Sequence, residues 1–312
     1  MSDPIPVCDP HFHLWDLAER ANPNLGDPPP YKAADYFADM ATLPDELKRV
    51  AGVHVETVVG QKEGGVVVDT VSETEWVRDQ LQPTEADQPF GIVAYAHLAR
   101  DTAAAEQTIA AHLDAAGKRL RGIRMILNHH PDNPDLTWPQ VEDGVFTHPL
   151  FREGLALLQR HNLAYDLSCN PHQIPDAVAV LKDFPDLPIV TNHLGFLHDG
   201  EDQAHEDLWR RNMTALAELP NANMKLSMAW FAREGYHEDP AKEAKIGAIV
   251  RELIELFGVD RCMFASNYPV DKFKGQSINY IYTKFLEWSA DLSADERKAL
   301  FHDTAIKAYG AF

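Results

Sequence analysis

Eight short apolar runs, rich in β-branched residues and spread along the chain, restrict this sequence to few architectures. They are Ile5–Asp9, Gly52–Val59, Phe90–His97, Leu120–Leu127, Leu163–Cys169, Pro188–His193, Ala222–Met228 and Arg261–Ser266. Amphipathic stretches lie between them, among them Thr74–Leu81, Ala103–Ala116, Pro149–His161, Pro175–Phe184, Asp207–Leu219 and Glu243–Phe257. In Ala103–Ala116, for example, Ile109, Leu113 and Ala116 recur at helical spacing. Strands alternating with helices pair in parallel through right-handed crossovers. Eight such units predict a closed (β/α)8 TIM barrel, because open doubly wound sheets more often carry five or six strands.

The 312 residues suffice for one barrel domain spanning 1–312, with a core large enough to need neither disulfides nor a structural metal. Two stretches, Asn22–Tyr31 and His129–Pro149, are too rich in Pro, Asp and Asn to continue a strand or helix. Each follows a strand, so each is expected to form a long βα-loop over the C-terminal mouth.

Composition narrows the partners. Asp and Glu number 48 against 28 Lys and Arg, a net charge of −20. Such a field repels nucleic acid and anionic membrane surfaces, and a few local cations could still admit an anionic small molecule. Cys8, Cys169 and Cys262 are isolated in apolar segments, the pattern of reduced thiols. No signal-peptide pattern and no long apolar run is seen, so the expected compartment is the cytoplasm. Homo-oligomerisation stays open.

Three segments carry the candidate chemistry. The first is Asp9-Pro10-His11-Phe12-His13-Leu14-Trp15-Asp16. In extended backbone, residues two apart face the same side, so His11 and His13 are expected to point inward together. Two such imidazoles suit a divalent cation or the polarisation of a carbonyl, although an H-x-H pair alone also describes two surface histidines. The second is His193-Leu194-Gly195, where a strand ends in a histidine and glycine releases the chain. The third is Ser266-Asn267-Tyr268-Pro269-Val270-Asp271, where polar residues interrupt an apolar run. Asn267 can position a substrate or water but cannot take a proton, whereas Asp271 can act as a base or pair with Lys272.

Taken together, these segments resemble the amidohydrolase superfamily. The match is to the amidohydrolase-related branch containing the pyrone-dicarboxylate, L-fucono and L-rhamnono lactonases. The matching pieces are Asp9–Asp16, Arg121-Gly122-Ile123-Arg124, Asn192–Gly195 and Phe264–Lys272, in that order. The resemblance implies a barrel hydrolase that opens a small cyclic ester, with His11, His13 and His193 around the scissile carbonyl or a bound metal. A carboxylate at the eighth strand would activate water. Asn267 stands where the superfamily has aspartate, so the base is expected to be Asp271, another group such as Glu56, or metal-bound hydroxide. The fourth strand offers no bridging lysine and the fifth no terminal histidine. The expectation is therefore at most one divalent ion, zinc first, or none.

Arg124 and Lys225 are cations within apolar strands, and each needs a carboxylate partner. That partner is either a substrate carboxylate or an internal acid such as Glu56, Asp9 or Asp166. Glu56 is also a candidate ligand or orienter, and Trp15, Trp230 and Tyr268 are candidates for the pocket wall. Serine-hydrolase, Walker and dinucleotide motifs are absent from the sequence. The alternatives are a metal-dependent decarboxylase of an unsaturated acid on the same fold, and a non-catalytic barrel that binds a small acid.

Overall fold

The computed structural model describes residues 3–18, 28–57, 62–63, 66–67, 69–139, 141–199 and 203–311. Eight parallel strands run in chain order around one sheet. They are β1 (Ile5–Phe12), β2 (Leu47–Val55), β3 (Phe90–Ala94), β4 (Leu120–Ile126), β5 (Ala164–Ser168), β6 (Ile189–Thr191), β7 (Ala222–Leu226) and β8 (Cys262–Phe264). Each of the eight apolar runs holds one strand. β8 meets β1 just past its own end: Asn267 N donates to the His11 carbonyl at 2.8 Å and His13 N donates to the Tyr268 carbonyl at 2.7 Å. These bonds bring the ring nearly to closure, as a (β/α)8 barrel requires.

Helices follow the strands where capping chemistry allows. Asp101 accepts from Ala104 N to start the helix Thr102–Ala116, and Asp239 accepts from Ala241 and Lys242 N to start Pro240–Phe257. Their apolar stripes, including Ile109, Leu155, Trp209 and Leu253, bury fully against the outside of the strands. A separate apolar cluster joins Cys8, Val53, Val93, Ala164, Val190 and Met263, one residue from each of six strands, with Tyr309 of the last helix. Only the barrel lumen brings so many strands together, so the C-terminal helix Thr304–Tyr309 plugs its base.

Two boundaries differ from the sequence reading. β1 runs on to Phe12, which puts His11 inside the strand. β2 begins at Leu47, because its first half mixes exposed Lys48 with buried Arg49 and so lacks an apolar signature. Val58 and Val59, given to that strand from sequence, lie outside the described residues, as do 22–27 of the first proline-rich loop. The second loop, His129–Pro149, does follow β4 and folds over the mouth through two short turns, Pro134–Leu136 and Val145–Thr147. The three cysteines are buried and unbridged. Among the described residues, no helix is long and apolar enough to cross a membrane.

Candidate active site

His11 and His13 leave the end of β1 on the same side, with Nε2 atoms 3.1 Å apart. His13 Nδ1 lies 2.7 Å from the Val55 carbonyl, which can only accept, so this nitrogen carries the proton. On the other side, Lys225 Nζ lies 3.1 Å from His11 Nδ1. An ammonium can only donate, so the His11 proton sits on Nε2 and is given to His13 Nε2. A single directed chain results, from Lys225 through His11 and His13 to Val55. It needs both rings neutral. Burial, reinforced by Lys225 for His11 and by Arg124 for His13, holds both well below the usual imidazole range.

His193 arrives from the turn after β6, its ring centroid 4.5 Å from that of His11. Its Nδ1 lies 2.9 Å from Ser227 Oγ. Burial, then Arg124 and Lys225, lowers its pKa well below the ordinary value, so it too is neutral. The turn that presents it is strained. His193, Leu194 and Phe196 all take left-handed φ values near +55°, as do Met228 after β7 and Asn267 after β8. Side-chain-bearing residues in that region each cost roughly 1–3 kcal/mol and gather where function holds them. Gly195 takes φ +65°, and a Cβ there would press on the end of the buried Met213 side chain, so a larger residue is disfavoured.

The two strand cations have internal partners. Arg124 Nε donates to Glu56 Oε1 at 2.5 Å, and Arg124 also donates to the Glu56 carbonyl at 2.6 Å. Lys225 donates to Asp166 Oδ2 at 2.6 Å, and Asp166 also receives the Tyr309 hydroxyl at 2.6 Å. Burial draws the Lys225 ammonium down to about 8 against the pull of Asp166.

A cavity of about 340 Å³ opens above this floor. Its wall includes His13, His193, Arg124, Glu56 and Asn267, together with Trp15 and Trp230. Four candidates from the sequence stand elsewhere, the first of them His11, which is fully buried behind His13 and His193. Lys225 has no exposed surface and lies beneath the wall. Tyr268 is buried, with its hydroxyl spent on the Gln276 carbonyl. Asp271 sits behind the wall, where Oδ2 receives Asn267 Nδ2 at 2.6 Å and Trp230 Nε1 at 3.2 Å. Burial pushes its carboxyl up to about 8 against those two bonds.

Sequence reasoning missed Asn128, Trp138, Ser168, Met228 and Phe231 on the wall. Four of these are the last residue of β5 or lie shortly beyond β4 or β7, a position that marks the mouth of any parallel barrel. Trp138 is different: the loop after β4 folds it back, with its N donating to the Asn128 carbonyl at 2.8 Å.

Buried histidines gathered beside a cavity at the C-terminal mouth of a parallel barrel stand where such barrels carry their active sites. The chain belongs to the amidohydrolase family, whose profile matches residues 8–311. It is 34% identical to the uncharacterized protein y4mH of Sinorhizobium fredii over 99% of both chains. It is 26% identical to the L-fucono-1,5-lactonase of Burkholderia ambifaria, over 96% of this chain and 94% of that one. A zinc-bound amidohydrolase from Burkholderia multivorans superposes with a TM-score of 0.77 at 22% identity, covering 98% of this chain and 99% of its own.

Proposed function

We propose that this protein hydrolyses a lactone, with His193 as the group that takes the proton of the attacking water. The observation that carries the reading is the convergence of His13, His193 and Arg124 on one wall of the cavity. The kinship with L-fucono-1,5-lactonase points to the same reaction class.

The roles follow from the hydrogen bonds. With Nδ1 held by Ser227, neutral His193 can offer Nε2 to water. Asn267 gives its amide N–H to Asp271, which fixes the amide and leaves its carbonyl oxygen to orient that water. Arg124 keeps N–H groups beyond those spent on Glu56 and would stabilise the carbonyl oxygen as charge builds on it. Water oxygen bonds to the acyl carbon, the ring C–O bond breaks, and the proton held by His193 passes to the leaving ring oxygen. The product is an open hydroxy acid. Asp271, the base suggested by sequence, acts in this reading through Asn267 and Trp230.

The zinc in the structural relative raises the question of whether His11, His13 and His193 fit such an ion here. They do not. His11 Nε2 bears a proton directed at His13 Nε2, so the chain that begins at Lys225 occupies the lone pairs of His11 and His13 and leaves only His193 Nε2 to face an ion. Asn267, at the position read as the family's aspartate, supplies no negative charge, while Arg124 and Lys225 crowd the rings with positive charge. Among the described residues, no group of three His, Cys, Asp or Glu side chains has the geometry to hold a metal.

The test is acid release from a panel of lactones followed in a pH-stat, with wild type and His193→Gln side by side. Turnover by wild type, reduced about 10²–10⁴-fold in the variant, is the expected result. Carbon dioxide in place of acid, or an unchanged variant, overturns the reading.

A further inference from the structure

We infer that the substrate is an uncharged lactone built on an aromatic or alkyl skeleton, not a polyhydroxylated or carboxylated one; this rests on the hydrolytic reading above. The argument is one of what the wall has left to offer. Its body is apolar: Trp138, Trp230, Phe231, Phe196, Ile126 and Met228 all face the cavity. Aromatic and aliphatic faces reward flat, apolar ligands, and a polyol would depend on the few polar groups of the wall for its hydroxyl groups.

The amide and hydroxyl groups of Asn128, Ser168 and Asn170, on the loop side of the wall, are occupied. Asn128 Nδ2 donates to Asn170 Oδ1 at 2.9 Å, and Ser168 Oγ donates to Asn128 Oδ1 at 2.8 Å. Both Asn170 amide protons go to the carbonyls of His129 and Leu136, at 3.1 and 2.7 Å. These amides serve to hold down the loop that carries Trp138. A polyol entering here would lose its water without regaining those bonds, which is unfavourable.

Charge argues against a carboxylate. Arg124 is the one Lys or Arg among the described wall residues, and Glu56 already neutralises it, with Asp135 adding a further negative charge on the same wall. Lys225, the other cation read from sequence as a grip, is sealed beneath the floor against Asp166.

The experiment compares kcat/KM for dihydrocoumarin, an uncharged benzo-fused lactone, with that for L-fucono-1,4-lactone and 2-pyrone-4,6-dicarboxylate. Calorimetric binding of chroman, the same skeleton without its carbonyl, is measured in parallel. A preference of about tenfold or more for dihydrocoumarin is expected, falling at least severalfold in Trp138→Ala and retained in Trp138→Phe. Chroman binding without turnover of any lactone supports an uncharged, apolar ligand skeleton and sinks the hydrolytic reading, and the lactone with it. Equal or better turnover of either polar lactone overturns the substrate class and leaves hydrolysis standing. So does a Trp138→Ala variant that slows all three alike.

Discussion

Asn267 stands between Asp271 and the cavity, donating its amide N–H to the carboxyl across 2.6 Å. This carboxyl is thus held out of direct reach of a substrate, in a site apolar enough to push its pKa up to about 8.

That shift fixes a pH dependence of stability. An unfolded aspartate titrates near 3.9, so between roughly pH 4 and 8 the native state binds a proton that the unfolded chain does not. The stability contributed by neutral Asp271 is therefore complete below about pH 4 and is lost as pH rises through about 8. Asp271→Asn keeps an acceptor for Asn267 and removes the titration. Melting temperatures by calorimetry from pH 5 to 9 should fall more steeply for wild type than for the variant. Parallel curves would refute this account.

The chain from Lys225 to Val55 predicts that metal is dispensable. Protein dialysed against a chelator, with zinc absent by elemental analysis, should keep its lactone turnover within about twofold of untreated protein. Added zinc should leave its melting temperature unchanged. Activity that vanishes with the metal and returns with it would mean that the His11 proton has been misplaced.

Lys225 and Asp166 form an ion pair with no exposed side-chain surface. Removing one partner leaves an uncompensated buried charge, which typically costs about 3–5 kcal/mol. Lys225→Met should lose stability on that scale in urea denaturation, and Lys225→Met with Asp166→Asn should recover a substantial part. Equal losses in the single and double variants would show that packing, not charge, dominates there.

Gly195 offers a test of the strained turn. An alanine would meet both the left-handed backbone at φ +65° and the Met213 side chain. Gly195→Ala should destabilise by more than about 1 kcal/mol and lower activity by moving His193. Unchanged melting and kcat would show that the turn tolerates a side chain.

The barrel was legible because strands buried on both faces read as mostly apolar runs, unbroken in β3 and interrupted only by Asp166 and Ser168 in β5 and by Asn223 and Lys225 in β7. The start of β2 was not, since Lys48 and Arg49 disguise it. His11 and His13 were legible through the two-residue alternation of a strand, and His193 through its place at a strand end. The depth of Asp271 was hidden. It belongs to a four-residue helix, Val270–Phe273, whose orientation depends on a left-handed Asn267 that spacing alone cannot reveal. The internal use of Arg124 and Lys225 was one of two readings, and only the approach of Glu56 to Arg124 and of Asp166 to Lys225 decides between them.

The seam where β8 meets β1 is stitched by backbone bonds from Asn267 to His11 and from His13 to Tyr268. Residues more than 250 positions apart in sequence thus share their hydrogen bonds at the very spot where the imidazoles gather. During synthesis the histidines of β1 must wait for more than 250 further residues before their neighbours arrive. Catalytic competence should therefore appear abruptly and late, as the ring is completed, so that a nascent or truncated chain lacking the eighth strand has nothing partial to offer.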